Sequence, residues 1–192
     1  MHKEIGTLAL IFFIGIFLNS CVTHVTKDMA DELKQNDLYA AYGTKIQDFG
    51  HLSKCSNLSV KIVDAEKINR ENKFCSPDII TSCYVVNPKE INYHVVNYMN
   101  GAYEKRGVKI DTNSSKVINV SVPKVELHDG FFNRSATLQV RIDIPDIKYM
   151  KDFSTLEQAG GTNLYRALEY SIHEVTQKIV EDQVIKSYIL CQ

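Results

Sequence analysis

The chain has no excess of charge of either sign: 22 lysines and arginines stand against 23 aspartates and glutamates, a formal net charge of −1. A nucleic-acid partner needs a basic stripe, so that class is excluded. Long apolar runs are missing too. The most apolar stretch, between Ile5 and Leu18, is about thirteen residues long, short of the roughly 20 that a spanning helix needs. Catalytic signatures are absent as well. There is no H-E-x-x-H, no G-x-S-x-G, no phosphate-binding loop and no dinucleotide glycine fingerprint. The six histidines, at positions 2, 24, 51, 94, 128 and 173, have no partner at metal-ligand or catalytic spacing. His173-Glu174 lacks the second histidine four residues on and reads as a pair on a solvated helix face. Asp143 and Asp146 flank a proline and read as turn acids rather than as an acid–base pair. No metal, cofactor or enzymatic activity is expected; a hydrolase built from scattered residues is the third-ranked reading.

What is present begins at the start of the chain. A short leader with Lys3 precedes the apolar run, which ends in Leu18-Asn19-Ser20-Cys21. That reads as a secretory signal, residues 1–20, to be left out of the fold. The Leu-x-Ser-Cys ending resembles the lipobox of bacterial lipoproteins. The resemblance implies cleavage before Cys21, whose thiol and new amino group then carry the acyl chains that bind the protein to a membrane. Val22, where an aspartate would favour inner-membrane retention in enteric lipoproteins, points by the same resemblance to the outer membrane, facing the periplasm.

Removing residues 1–20 from the 192 leaves 172, enough for one domain and a tether. With Cys21 lipidated, Cys55, Cys75, Cys83 and Cys191 remain, an even number suited to an oxidising compartment. Three connectivities are open. Cys75 and Cys83 lie close in one loop while Cys55 and Cys191 bracket the domain, which favours Cys75–Cys83 with Cys55–Cys191. Chain entropy assigns about 2.5 kcal/mol to the small loop and about 5 kcal/mol to the large one. A four-thiolate zinc site is the rival, but the paired C-x₂₋₄-C spacing is lacking.

Residues 21–54 read as the lipidated cysteine and a polar tether, with a weak helix marked by Met29, Leu33, Leu38, Ala41 and Tyr42. If flexible, it reaches roughly 30 Å. The domain, residues 55–192, opens with a strand in which Leu58, Val60 and Ile62 share a face. A charged excursion follows from Asp64 to Ser82. Asn87-Pro88-Lys89-Glu90 starts a helix with a capping residue, a proline at the first position and an acid in the first turn. Its stripe is Ile91, Val95, Tyr98, Met99 and Ala102, and Gly107 ends it. Ile118, Val120 and Val122 then alternate, but after Pro123 the phase slips to Val125 and Leu127, which predicts a bulge and a strand that is kinked or at an edge. Ala136, Leu138, Val140, Ile142 and Ile144 give one buried face with a polar face opposite. A further strand is expected over 147–153. After Gly160-Gly161, Thr162 caps one long helix to about Lys186, with Leu164, Leu168, Ile172, Val175 and Ile179 buried. The fold class is α+β: a two-layer sandwich, a mainly antiparallel sheet of four or five strands with two long helices on one face.

From Ile91 to Ile189 the order of elements is similar to that of the YajG-type small lipoproteins of Gram-negative bacteria. The strings concerned are Tyr103-Glu104-Lys105-Arg106-Gly107-Val108, Val117 to Val125, Ala136 to Ile142, and Asn163 to Ile189. The resemblance implies an exported, lipid-anchored domain with no established enzymatic activity; the four domain cysteines and the 64–87 excursion depart from it. The expected function is accessory or scaffold binding within the cell envelope, with an envelope protein as partner. A carrier of lipid or another small apolar ligand is the alternative. Phe131 and Phe132, beside the predicted hairpin turn, are candidate partner contacts.

Overall fold

The computed structural model describes residues 22–24, 48–50, 52–75, 83–129, 133–160 and 164–192. The leader, Cys21, the helix expected between Met29 and Tyr42, the hairpin tip with Phe131 and Phe132, and the Thr162 cap lie outside the described residues. In chain order the strands are β1 (Val22–His24), β2 (Ser59–Asp64), β3 (Asn72–Cys75), β4 (Cys83–Val86), β5 (Lys109–Ile110), β6 (Val117–Asp129), β7 (Asn133–Ile144) and β8 (Tyr149–Gly160). The helices are α1 (Pro88–Glu104), α2 (Leu164–Glu181) and α3 (Gln183–Leu190), with a 3-10 turn at Pro145–Ile147.

β7 forms as its alternation requires: Ala136, Leu138, Val140, Ile142 and Ile144 are all fully buried, and the intervening side chains are half-exposed. It pairs antiparallel with β6 and with β8. The phase slip at Pro123 is a break in the β6–β7 register between Ser121 and Lys124, which lets Val120 and Val122 before it, and Val125 and Leu127 after it, all reach the core. β2 and β5 change the character of the sheet. The five-stranded order is β5-β2-β6-β7-β8, and both the β5–β2 and the β2–β6 pairings are parallel. The α+β class holds, but the sheet is mixed rather than mainly antiparallel. The reason is α1, the crossover that parallel neighbours need and that carries the chain from β2 back to β5.

The excursion after β2 is also structured. β3 and β4 pair antiparallel with Cys75 opposite Cys83, and β1 adds parallel to β4, making a second sheet of order β1-β4-β3. Where β2 ends, β6 loses its ladder partner on that side. There Glu66, only 5% exposed, accepts the Val122 amide on Oε2 at 2.6 Å and the Ile68 amide on Oε1 at 2.7 Å. Pro123, which has no amide to satisfy, follows directly. The strand is thus kinked at the proline and locally an edge, and a carboxylate replaces the missing strand.

α1 starts as its sequence dictates, with the Asn87 side chain accepting the Lys89 amide at 3.0 Å and Pro88 in the first turn. Of its stripe, Ile91, Val95, Met99 and Ala102 are buried and Tyr98 is half-buried, with Tyr103 fully buried instead; Asn92 is buried too, and its Nδ2 donates to the Val120 carbonyl and to Asp64. Gly107 adopts a φ of +80° just after the helix, where a Cβ would meet the Asp48 carboxylate at 3.1 Å. Gly101 has no such reason: a Cβ there meets nothing within 4 Å. Gly101→Ala is expected to raise stability by about 1 kcal/mol, read as a higher urea midpoint with unchanged slope. An unchanged midpoint would refute the open space.

The single long helix expected to end near Lys186 is two helices. Asp182 leaves the helical region with a ψ of 127° and accepts the Val184 and Ile185 amides on its side chain, capping α3. Lys151 on β8 pairs with Asp182 at 2.8 Å and fixes the break. Burial and the nearby Asp182 carboxylate push the Tyr149 phenol up to about 12. The predicted α2 stripe is buried, but so are Glu169, Ser171, His173 and Thr176. His173 is 4% exposed and not on a solvated face, because α2 packs on β7 and β8 on one side and on α1 on another. That burial lowers its pKa.

Candidate functional site

Among the described residues, α1 and α2 pack on one face of the five-stranded sheet, and no helix covers the other. On it, Arg141 grips Asp152 with two bonds, Nε to Oδ1 at 2.7 Å and Nη2 to Oδ2 at 2.9 Å, while the Gln139 amide donates to Oδ2 at 2.8 Å. The bond from Asp152 raises the Arg141 pKa, and the bond from Arg141 lowers that of Asp152. Lys124 pairs with Glu126 at 3.0 Å, and Asn119 donates to Asp143. These charges are matched among themselves, so the face carries no strong field of one sign. Its apolar exposure is on β8, where Met150 is 63% and Leu156 61% exposed.

A second cluster lies where β8 meets α2. The Glu157 and Glu174 carboxyls are hydrogen-bonded to each other, and Lys178 sits 2.6 Å from Glu174. The bond to Glu174, with burial, pushes Glu157 up to about 7; the bond to Glu157, with Lys178 beside it, lowers Glu174. Below about pH 7 the pair therefore holds one proton, on the Glu157 side of the bond. For a carboxyl raised from its ordinary 4.5, the stabilising contribution is complete below 4.5 and is lost as pH rises through 7. The wild type should lose on the order of 1 kcal/mol by this route after allowance for solvent screening. Glu157→Gln should flatten that fall. Urea midpoints at pH 5 and pH 7.5 check it, and parallel pH dependences of the two proteins would exclude the shared proton.

The third cluster gathers the chain's two distant cysteines. Cys55 and Cys191 are bonded across a separation of 136 residues. Around the bond, the Lys54 amide donates to the Leu190 carbonyl at 3.0 Å and Gln192 Nε2 donates to the Leu52 carbonyl at 2.8 Å. Tyr188 donates to Asp146 at 2.7 Å and accepts the Val117 amide at 3.0 Å, and burial followed by Asp146 raises its pKa. A shallow groove of about 380 Å³ runs beside it, lined by Ile147, Gln183, Val184, Ser187, Tyr188 and Gln192.

Of the residues singled out in the sequence, both cysteine pairs are brought together, Cys75 with Cys83 and Cys55 with Cys191. Cys21, Phe131 and Phe132 lie outside the described residues. Among the described residues, no group of three or more His, Cys, Asp or Glu side chains is placed to hold a metal ion, and no helix is long and apolar enough to cross a membrane. Sequence reasoning missed Glu66, Lys116 and the Glu157–Glu174 pair. Only Glu174 and Lys178, four residues apart on a helix, left a readable signal.

No family model matches the chain, and no curated protein matches it. Among solved structures, it is similar to a hypothetical protein, CT253, of Chlamydia trachomatis, with a TM-score of 0.41 and 10% identity over 71% of this chain and 100% of the other. A neuraminyllactose-binding hemagglutinin homologue from Helicobacter pylori gives a TM-score of 0.31 and 13% identity over 78% of this chain and 96% of the other. At these scores neither comparison carries an argument about fold or function.

Proposed function

We propose that the protein is a non-enzymatic lipoprotein of the bacterial envelope, moored at the outer membrane through acyl chains on Cys21, whose domain faces the periplasm and docks an envelope protein. The observation that carries this reading is the pair of disulfides in one domain. Such bonds persist in oxidising compartments and are rare where cellular thiols keep proteins reduced. The resemblance of the leader to a lipobox, and of the later chain to YajG-type lipoproteins, adds the anchor. The side chains of sheet and helices meet in one buried cluster, which favours surface docking over a carrier with lipid held between the layers. The open sheet face is the surface on offer, with charges already matched and with Met150 and Leu156 at its β8 margin. Tethering confines the domain near the membrane, so a weak contact suffices.

Two measurements test this. Cys21→Ser should move the protein from the membrane fraction to the soluble one; a protein still membrane-bound would overturn the anchor. Photo-crosslinkers at Thr137 and Leu156, compared with the wild-type pattern after Phe131 and Phe132 are replaced by Ala, should trap a discrete envelope protein in cells. Recovery of lipid instead of protein would replace docking with carriage.

A further inference from the structure

We propose that Cys55–Cys191 is a thiol-exchange site, a bond opened by an external dithiol protein with Lys116 stabilising the departing sulfur. The geometry is specific. Lys116 Nζ lies 2.8 Å from Cys55 Sγ and 2.8 Å from Cys191 Sγ, and it donates to the Ile189 carbonyl at 2.6 Å. The Tyr188 ring, with its centroid 6.0 Å from Nζ, backs the amine. Lys116 and Cys55 are half-buried while Cys191 is exposed, so the two sulfurs differ in access. Burial lowers the Lys116 pKa, and a thiolate formed beside it compensates for that lost solvation. Cys75–Cys83 sits in the β3–β4 hairpin and serves as the internal comparison.

The chemistry follows from which sulfur is reachable. A thiolate of the incoming dithiol attacks Cys191 Sγ; a new S–S bond forms to Cys191 as the Cys55–Cys191 bond breaks, and its electron pair leaves on Cys55 Sγ. That anion is born against the Lys116 ammonium. The second thiol of the dithiol, once deprotonated, attacks the partner sulfur of the mixed disulfide and releases Cys191 as a thiolate. The dithiol is oxidised to its disulfide, the two electrons and two protons it gives up end on the two cysteines, and nothing else is consumed. Because a cation stabilises the thiolate products and the leaving sulfur alike, it raises both the equilibrium and the rate of reduction. The bond therefore works as a latch between Lys54 and Leu190, with a dithiol oxidoreductase as the class of partner that opens it.

The test uses the oxidised full chain in dithiothreitol redox buffers, with free thiols alkylated at intervals and located by mass spectrometry. Wild type should open Cys55–Cys191 with an equilibrium constant about ten-fold above Lys116→Met, which corresponds to about 30 mV. The rate should fall by a similar factor in the variant, while Lys116→Arg should stay within about two-fold of wild type. Cys75–Cys83 should respond identically in all three proteins. Where Met is not tolerated, Lys116→Gln keeps a donor to Ile189 without the charge. Equal equilibria and rates for wild type and the neutral variants would overturn the proposal, and an equal fall at Cys75–Cys83 would do the same by showing a general loss of structure.

Discussion

Replacing Cys55 and Cys191 together by serine should cost the domain about 5 kcal/mol, the larger of the two greatest losses expected of this fold. The bond closes a loop spanning 136 residues, so the unfolded chain that lacks it regains most of the freedom of the whole domain. Domains of ordinary stability hold 5–15 kcal/mol in reserve, so a loss of this size removes about a third or more. The expected drop in melting temperature is on the order of 15 °C. Directly between the two ends run a backbone bond from Lys54 to Leu190 and an amide bond from Gln192 to Leu52, neither of which restricts the unfolded chain. The small loop of eight residues is different, and Cys75→Ser with Cys83→Ser should cost about 2.5 kcal/mol. Denaturant unfolding of both double variants checks the order. A loss under about 2 kcal/mol for the large loop would mean that the unfolded chain stays compact without the bond.

Phe49→Ala should cost about 4 kcal/mol, although Phe49 precedes the first strand of the main sheet by ten positions. Its ring is 2% exposed. The Arg106 guanidinium lies 5.9 Å from the ring centroid and the Lys186 ammonium 5.2 Å from it, so two cations flank one aromatic side chain. Arg106 is itself buried, with Nη1 donating to the Ala102 carbonyl at 2.9 Å, and its own carbonyl accepts the Phe49 amide at 2.9 Å. Removing the ring leaves a cavity and strands a buried guanidinium beside it. Phe49→Leu separates the two contributions, since it keeps most of the volume and loses the quadrupole; it should cost about 1 kcal/mol. Urea unfolding of both variants decides this, and a loss below about 1 kcal/mol for Phe49→Ala would mean that the segment is merely draped over the domain.

Elements that carry several periods of their own pattern could be read from the chain. β7 shows five alternating apolar residues, α1 shows Asn87-Pro88 at its start, and α2 shows its stripe from Leu164 to Ile179. The slip at Pro123 was readable because two phases of one strand were both apolar. β3 and β4 have four residues each, less than a pattern needs, so the second sheet was not visible; alternation marked β2 and β6 as strands but does not report which strands pair or in which direction, so their parallel pairing was not visible either. Asp182 looks like any polar helix residue until Lys151, thirty-one positions away, fixes it as a cap. His173 looked solvated because one helix cannot report what covers its second side. Phe49 lay in a polar stretch without periodicity, and its two cations come from α1's exit and from α3. The cysteine pairing was legible from spacing; the amine between its sulfurs was not.

The place of β2 also sets a sequence in time. Lys61 to Asp64 pair with Val117 to Val120, and Ser59 and Val60 pair with Lys109 and Ile110, so β2 acquires its neighbours only after some fifty further residues have been made. Until then it is an apolar strand with both edges bare, the kind of segment that sticks to other chains. Cys75 and Cys83 can meet as soon as their hairpin exists, whereas Cys55 must wait for Cys191. The two bonds thus act as early and late clocks in maturation, and an oxidant that works too quickly would trap Cys55 with Cys75 or Cys83 before its own partner arrives.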